Sequence, residues 1–98
     1  MSDLAASPQL SGKEQPRLNP LFMFRWEESQ NAHVLLYPEG VVKLNGSAGE
    51  IIGRCDGIRS IDQIAAELKA AFAADGEDVA SGVRKFMEIA HAKGWLVI

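Results

Sequence analysis

The segment HVLLYPEGVVKLN, residues 33–45, constrains the fold more than any other stretch of the chain. Two short apolar runs, rich in residues that suit a pleated surface, flank Pro38-Glu39-Gly40. The chain must reverse there, and an antiparallel hairpin is the economical way to do it. In Tyr37-Pro38-Glu39-Gly40 the proline suits a turn position with φ of about −65°, and Gly40 suits a positive φ. A type I turn closed by a left-handed glycine is therefore expected. In the second run Val42 and Leu44 should face the core, with Val41 and Lys43 facing away. Upstream, LFMFRWEE alternates, placing Phe22, Phe24 and Trp26 on one face and Met23, Arg25 and Glu27 on the other. The face of HVLLY is ambiguous, because Val34, Leu35 and Leu36 are all apolar. The result is a three-stranded meander whose last strand leaves one edge unpaired.

Three helices are expected after the meander. Ser47-Ala48-Gly49-Glu50 has the form of a capping box before Ile51, Ile52 and Cys55, and Asp56-Gly57 should stop that helix. Ser60-Ile61-Asp62-Gln63 is a second capping box. Ile61, Ile64, Ala65, Leu68 and Phe72 then form one helical stripe. Asp75-Gly76 should break the chain, and the third helix should begin near Asp78. Along it Val79, Val83, Phe86, Met87 and Ala90 share a narrow arc, with Gly82 and Ile89 on its border. Lys93-Gly94 fits a helix end, with a cation in the last turn and glycine just past it. The closing WLVI should fold back on the core, since leaving it wet forfeits about 1.5–3 kcal/mol for each larger side chain. The fold class is thus α+β, a three-stranded antiparallel sheet followed by three helices, resembling a winged helix-turn-helix. Residues 1–19 are read as a flexible N-terminal arm and residues 20–98 as the folded domain.

Composition narrows the function classes. At 98 residues the chain can bury one modest core. A formal net charge of −3 argues against a nucleic-acid surface, which needs a basic face. The single cysteine, Cys55, rules out an intramolecular disulfide. No apolar run approaches the roughly 20 residues of a membrane span, and no basic segment precedes an apolar stretch at the N-terminus. A cytoplasmic protein is the expectation.

Catalytic chemistry is hard to find. Cys55 sits in GRCDG at a helix end, with His33 and His91 the only histidines and neither at a ligand spacing from it. A small buried thiol accounts for it better than a nucleophile or a metal ligand. Glu27-Glu28 and Glu77-Asp78 suit solvated surface or helix starts. NGSAGE lacks the lysine and spacing of a phosphate loop, and capping explains its residues. Trp26 and Trp95 are read as core aromatics rather than base-stacking platforms. Arg84, Lys85, His91 and Lys93 could read a DNA groove, but Asp78 and Glu88 dilute that charge. What stands out instead is an open strand edge beside an apolar helix flank. Met87 is placed at the edge of that flank, where an adaptable side chain suits a partner. Such a groove fits an extended peptide, which adds main-chain hydrogen bonds to the edge and puts alternate side chains into the cleft.

HVLLYPEGVVKLNGSAGEIIGRCDGIRSIDQIAAEL resembles the PqqD family of pyrroloquinoline quinone biosynthesis. The likeness runs from about Phe22 to Trp95, and its most specific pieces are LLYPEG, VKLN-x-SA-x-EI, CDG-x-x-S and KGWL, x marking positions that carry none of it. The resemblance implies a non-catalytic peptide chaperone, a recognition element for a ribosomally made peptide, with no cofactor and no metal. It implies two partners. One is the precursor peptide PqqA; the other is the radical SAM enzyme PqqE, which cross-links a glutamate and a tyrosine of that peptide. It also implies that the leader lies as an added strand between the third strand and the third helix. Carried onto this chain, the strand contacts are Val41, Val42, Lys43 and Leu44, and the helix contacts are Val83, Phe86, Met87 and Ala90. Lys43 and Arg84 would pair with acidic leader residues. Tyr37, Pro38, Glu39 and Gly40, with the exposed side of the hairpin, would meet the enzyme. The open edge and apolar tail also suit a homodimer. A small winged-helix DNA-binding regulator is the alternative reading.

Overall fold

The computed structural model describes residues 10–72 and 76–98. The meander is present: β2 (Met23–Glu27), β3 (Ala32–Tyr37) and β4 (Gly40–Lys43) form one antiparallel sheet in that order, preceded by a short β1 (Arg17–Leu18). Three helices follow, α1 (Gly46–Ile52), α2 (Ile61–Phe72) and α3 (Gly76–Ala92), and then β5 (Leu96–Val97). The pairing β1–β5 is a second, two-residue ladder that the sequence pattern did not announce. It is too short to show alternation. It returns the closing apolar tail to the domain, with Leu96 only 2% exposed.

Register settles the ambiguous strand. Leu35 stands opposite Phe24 and Val42 and belongs to the main core cluster. Val34 stands opposite Arg25 and Lys43, on the other face of the sheet. The core lies between the inner face of the sheet and the helices, with Leu35 and Leu44 meeting Ile51, Ile61, Ile64, Val83, Met87 and Ala90. Gly49 on α1 sits so close to β3 that a Cβ there would lie 3.0 Å from the His33 ring.

Several local details differ from the sequence reading. Gly40 pairs with Tyr37 to close a two-residue turn, and it is not among the glycines with positive φ. The cap of α1 is Asn45, whose side chain accepts from the Ala48 N–H at 2.7 Å, so the helix starts before Ser47 and the expected Ser47–Glu50 box does not initiate it. The helix also stops early, at Ile52 with Gly53 as its C-cap, rather than at Asp56-Gly57. Trp26 is 47% exposed, not a core aromatic, and its Nε1 donates to Glu28 at 2.7 Å. The expected break at Asp75-Gly76 falls partly outside the described residues, and α3 already begins at Gly76.

Other expectations hold. The Ser60–Gln63 box forms reciprocally: the Gln63 N–H donates to Ser60 Oγ at 3.1 Å and the Ser60 N–H to Gln63 Oε1 at 2.8 Å. Gly94 takes φ 80°, and the Trp95 N–H reaches back to the Ala90 carbonyl at 2.9 Å, closing α3 with a left-handed glycine. Residues 10–19, read from the sequence as the end of an arm, lie against the domain. The carbonyls of Gly12 and Glu14 accept from the Asp62 and Ile61 N–H groups at 2.9 Å each, so the arm satisfies donors at the start of α2 that the helix itself cannot. Pro16 is buried. The remainder of the arm, residues 1–9, lies outside the described residues.

Candidate functional site

The outer edge of β4 is where main-chain chemistry is left over. The Leu44 N–H donates to the His33 carbonyl at 3.0 Å, which fixes the phase of the β3–β4 ladder. His33–Leu44, Leu35–Val42 and Tyr37–Gly40 are then the hydrogen-bonded pairs, and the intervening Val41 and Lys43 turn their N–H and C=O groups outward. Among the described residues β4 has no further strand beside it. Both residues are exposed, Val41 at 60%.

An open cavity of about 760 Å³ lies beside the junction where β4 gives way to α1. Asn45, Gly46 and Ser47 form its rim on that side, and Val79, Gly82, Val83, Phe86 and Ile89 line it from α3. Phe72, the last residue of the α2 stripe, closes the wall and is 58% exposed. Ile89 is 53% exposed. Two large apolar side chains thus stand open to solvent at one opening. Glu50 and Lys85 supply charge at its border. Phe86 is held from behind by Trp95, their ring centroids 6.4 Å apart.

Not every residue named from the sequence reaches this opening. Phe86 lines it, and Val83 forms part of its floor at 3% exposure. Met87 is not at the edge of the stripe but at its centre: Met87 and Ala90 are both fully buried in the core and do not line the cavity. Arg84 points elsewhere, its guanidinium 3.4 Å from both the Asp62 carboxylate and the Ser11 carbonyl. Lys85 takes the position expected of Arg84. On the strand, Val42 is half-buried and Leu44 buried, and the ladder phase gives their main chains to β3 rather than to a guest. Pro38 and Glu39 are exposed at the hairpin tip, between half-buried Tyr37 and Gly40. The sequence reading missed Phe72, Ile89, Gly82 and the Asn45–Ser47 rim. The border position of Gly82 and Ile89 on the α3 arc was the signal available for two of them.

Among the described residues no catalytic arrangement accompanies the groove. Burial, with a smaller contribution from Asp56, pushes the Cys55 thiol up to about 12, and the thiol donates to the Ile51 carbonyl at 3.2 Å. It is a structural group. His33 stacks on Phe24 at 4.6 Å. Among the described residues no group of three or more His, Cys, Asp or Glu could hold a metal ion, and no helix is long and apolar enough to cross a membrane. A smaller depression of about 320 Å³ beside Phe24 and His33 is lined by Arg54, Arg59 and Glu67, whose charges pair with one another at 2.8–3.2 Å.

Comparison with known proteins places these features in a family. The profile described as "Coenzyme PQQ synthesis protein D (PqqD)" matches residues 32–96. The chain is 47% identical over 81 residues to a PqqA binding protein of Azotobacter vinelandii, covering 83% of this chain and 87% of that one. It is 44% identical over 86 residues to the PqqA binding protein of Pseudomonas entomophila, covering 88% and 93%. Among solved structures it is similar to the PqqD portion of Methylobacterium extorquens PqqCD, a stand-alone recognition element for ribosomally made, modified peptides. The TM-score is 0.77 at 30% identity, over 90% of this chain and 94% of that one. It is also similar to PqqD from Xanthomonas campestris, with a TM-score of 0.58 at 28% identity over the whole of both chains.

Proposed function

The chain belongs to the PqqD family, and from that premise we propose that it is a non-catalytic carrier that binds the precursor peptide PqqA at the β4 edge and presents it to the radical SAM enzyme PqqE. The observation that carries this reading is the outward main chain of Val41 and Lys43 beside an apolar opening lined by α3. A guest strand there makes up to four main-chain hydrogen bonds, worth on the order of 2–6 kcal/mol together. Those bonds are blind to sequence. Selection must come from side chains, and apolar residues entering the opening against Phe72, Phe86 and Ile89 add about 1.5–3 kcal/mol each before the cost of ordering the peptide. Lys85 at the rim and Lys43 on the strand are the cations placed for acidic residues of the guest. The exposed hairpin tip, Pro38-Glu39, is assigned to the enzyme.

The DNA-binding alternative loses its motivation: Arg84, the arginine of the would-be recognition helix, is engaged with Asp62 and Ser11. An amide-shift titration with synthetic PqqA tests the proposal. Shifts should concentrate on Val41–Leu44 and on the exposed side of α3 around Phe86 and Ile89, with intermolecular contacts from the guest backbone to β4. Shifts confined to α2, or to β2, would sink it.

A further inference from the structure

Most of the described glycines have a reason inside the domain. Gly12, Gly57 and Gly94 take φ of 80–101°, which other residues adopt only with strain. At Gly49 and Gly53 a Cβ would lie 3.0–3.2 Å from a neighbouring atom, and at Gly40 it would rest 3.6 Å from the Tyr37 hydroxyl. Gly46 and Gly82 differ. Neither has a positive φ, and a Cβ on either would meet nothing within 4 Å among the described residues. Both line the same opening, Gly46 on its rim beside β4 and Gly82 on α3. Gly82 also stands in the interior of α3, where glycine holds a helix less firmly than alanine would. The helix is weakened there with no gain in the domain's own packing. The neighbours of Gly82 show what its missing side chain leaves behind. Val79, Gly82, Val83 and Phe86 follow the spacing i, i+3, i+4, i+7, the four corners of a hole into which a facing side chain fits as a knob. All four line the opening. Val83 is the inner corner, 3% exposed, and Gly82 the outer, exposed one. With only a hydrogen there, the hole has no outer wall.

We propose that Gly82 is the size-determining residue of the groove: the hole it leaves open receives one large apolar side chain of the guest strand, of leucine size or more. The proposal rests on the strand-addition reading of β4 and deepens it. Val79 and Phe86 stand seven residues apart, about 10 Å along the helix axis. A strand presents side chains to one face at intervals of about 6.6 Å, so one side chain enters between them and its neighbours on that face fall beyond. A large knob fills the hole and covers Val79 and Phe86; a small one leaves both walls wet. Main-chain bonds at Val41 and Lys43 do not distinguish one register of the guest from another two residues along, and a single anchor in this hole does. Gly46 serves the same guest by keeping the rim low where β4 gives way to α1.

Calorimetry of the full chain with synthetic PqqA, alongside thermal unfolding, tests this. Gly82→Ala should raise the unfolding midpoint by about 2–8 °C. It should nevertheless weaken PqqA binding about fourfold, since its methyl group takes room that a guest methylene would fill. A role confined to folding would not move the two readouts in opposite directions. Gly82→Leu should lower affinity at least about tenfold. Ser81→Ala, exposed on α3 and outside the opening, is the control: it also favours the helix and should leave affinity unchanged. Alanine substitution along the peptide completes the cycle. With the parent chain, one large apolar residue of PqqA should be the costliest to shorten; with Gly82→Leu, shortening that same residue should cost almost nothing. Unchanged or tighter binding by Gly82→Ala overturns the proposal. So does an equal loss with Ser81→Ala, and so do peptide losses that do not depend on the residue at position 82. Amide shifts of Val41–Leu44 keep this apart from the groove reading. If they still report PqqA while Gly82 is indifferent, only the hole is struck; a parent chain that does not bind PqqA strikes both.

Discussion

β4 and β2 both end the three-stranded sheet, and their surroundings differ in kind. On β4 the outward main-chain groups belong to Val41 and Lys43, and the strand runs into an apolar opening walled by α3. On β2 the same alternation turns out Phe24 and Trp26. That edge ends in a 3-10 turn, Glu28–Gln30, followed by Asn31 at φ 50°, which stops the strand abruptly. Beside β2 lies the depression where Arg54, Arg59 and Glu67 already satisfy one another. The side chains at β2 are also committed: Trp26 donates to Glu28, and His33 is set between the Phe24 and Trp26 rings. Glu27, Glu28 and Arg25 put charge along it, a common way to discourage pairing. An open edge is therefore not enough to make a peptide site. The edge must adjoin an unfilled apolar wall that can choose among guests.

The sharpest way to break this contrast is to remove one outward donor from each edge. Lys43→Pro deletes an N–H that faces a guest and no bond of the β3 ladder, and edge strands tolerate proline. It leaves a guest carbonyl unpaired, at a cost of about 1–3 kcal/mol, so PqqA affinity should fall roughly ten- to hundredfold. Trp26→Pro makes the equivalent deletion on β2 and should leave PqqA affinity unchanged. Equal losses at the two positions would erase the distinction between the edges.

A smaller loss is expected from the wall. Ile89 is half exposed and contributes little to folding, but it lines the opening. Ile89→Asp should leave the unfolding midpoint nearly unchanged and lower PqqA affinity about tenfold, by forfeiting roughly 1.5 kcal/mol of apolar burial. An unchanged affinity would mean that the guest ends before it reaches α3.

The sequence disclosed much of this, and its failures have identifiable causes. Alternation in Phe22–Glu27 and the Tyr37–Gly40 reversal located the sheet and its open edge, because period two is a strong signal over five residues. The helix flank was misread more than the strand. A helical stripe reports angle only: it puts Met87, fully buried, at the adaptable edge of the arc and leaves Ile89, half open, on its border until the positions of α2 and β3 are known. Arg84 was misassigned for a related reason: its partner, Asp62, is 22 residues away and on another helix. Asn45 was overlooked as a cap because Ser47 made the better motif. What decides between them is the last β3–β4 bond at Leu44, which leaves Asn45 extended at ψ 175° with its side chain free to turn back.

That cap also tests how the edge is joined to the opening. Asn45→Ala removes the bond to the Ala48 N–H and should cost about 1 kcal/mol of stability, read as a lower urea midpoint at constant slope. If Asn45 acts only as a cap, Asn45→Asp, which keeps an acceptor, restores both stability and PqqA affinity.

The smallest effect concerns residues 10–19, whose backbone bonds among the described residues go to the start of α2, Gly57, Trp95 and β5, and which so serve as a control for both edges. The Ser11 N–H, then the backbone N–H of Glu14 itself and that of Gly12, hold the Glu14 carboxyl down to about 2 from its ordinary value of 4.5. A depressed folded-state value means that the contribution is fully present above about pH 4.5 and is lost as the pH falls toward 2. Glu14 is solvent-accessible, so the effect on global stability should be slight. The local effect is readable: amide shifts of Ser11 and Gly12 should titrate together with a midpoint near 2, while those of Val41 and Trp26 stay put until the domain itself unfolds. A midpoint near 4.5 would show that the arm is not fastened at Glu14. Movement of Val41 in step with Ser11 would show that arm and edge are coupled, and then the contrast between β4 and β2 could not be attributed to the sheet alone.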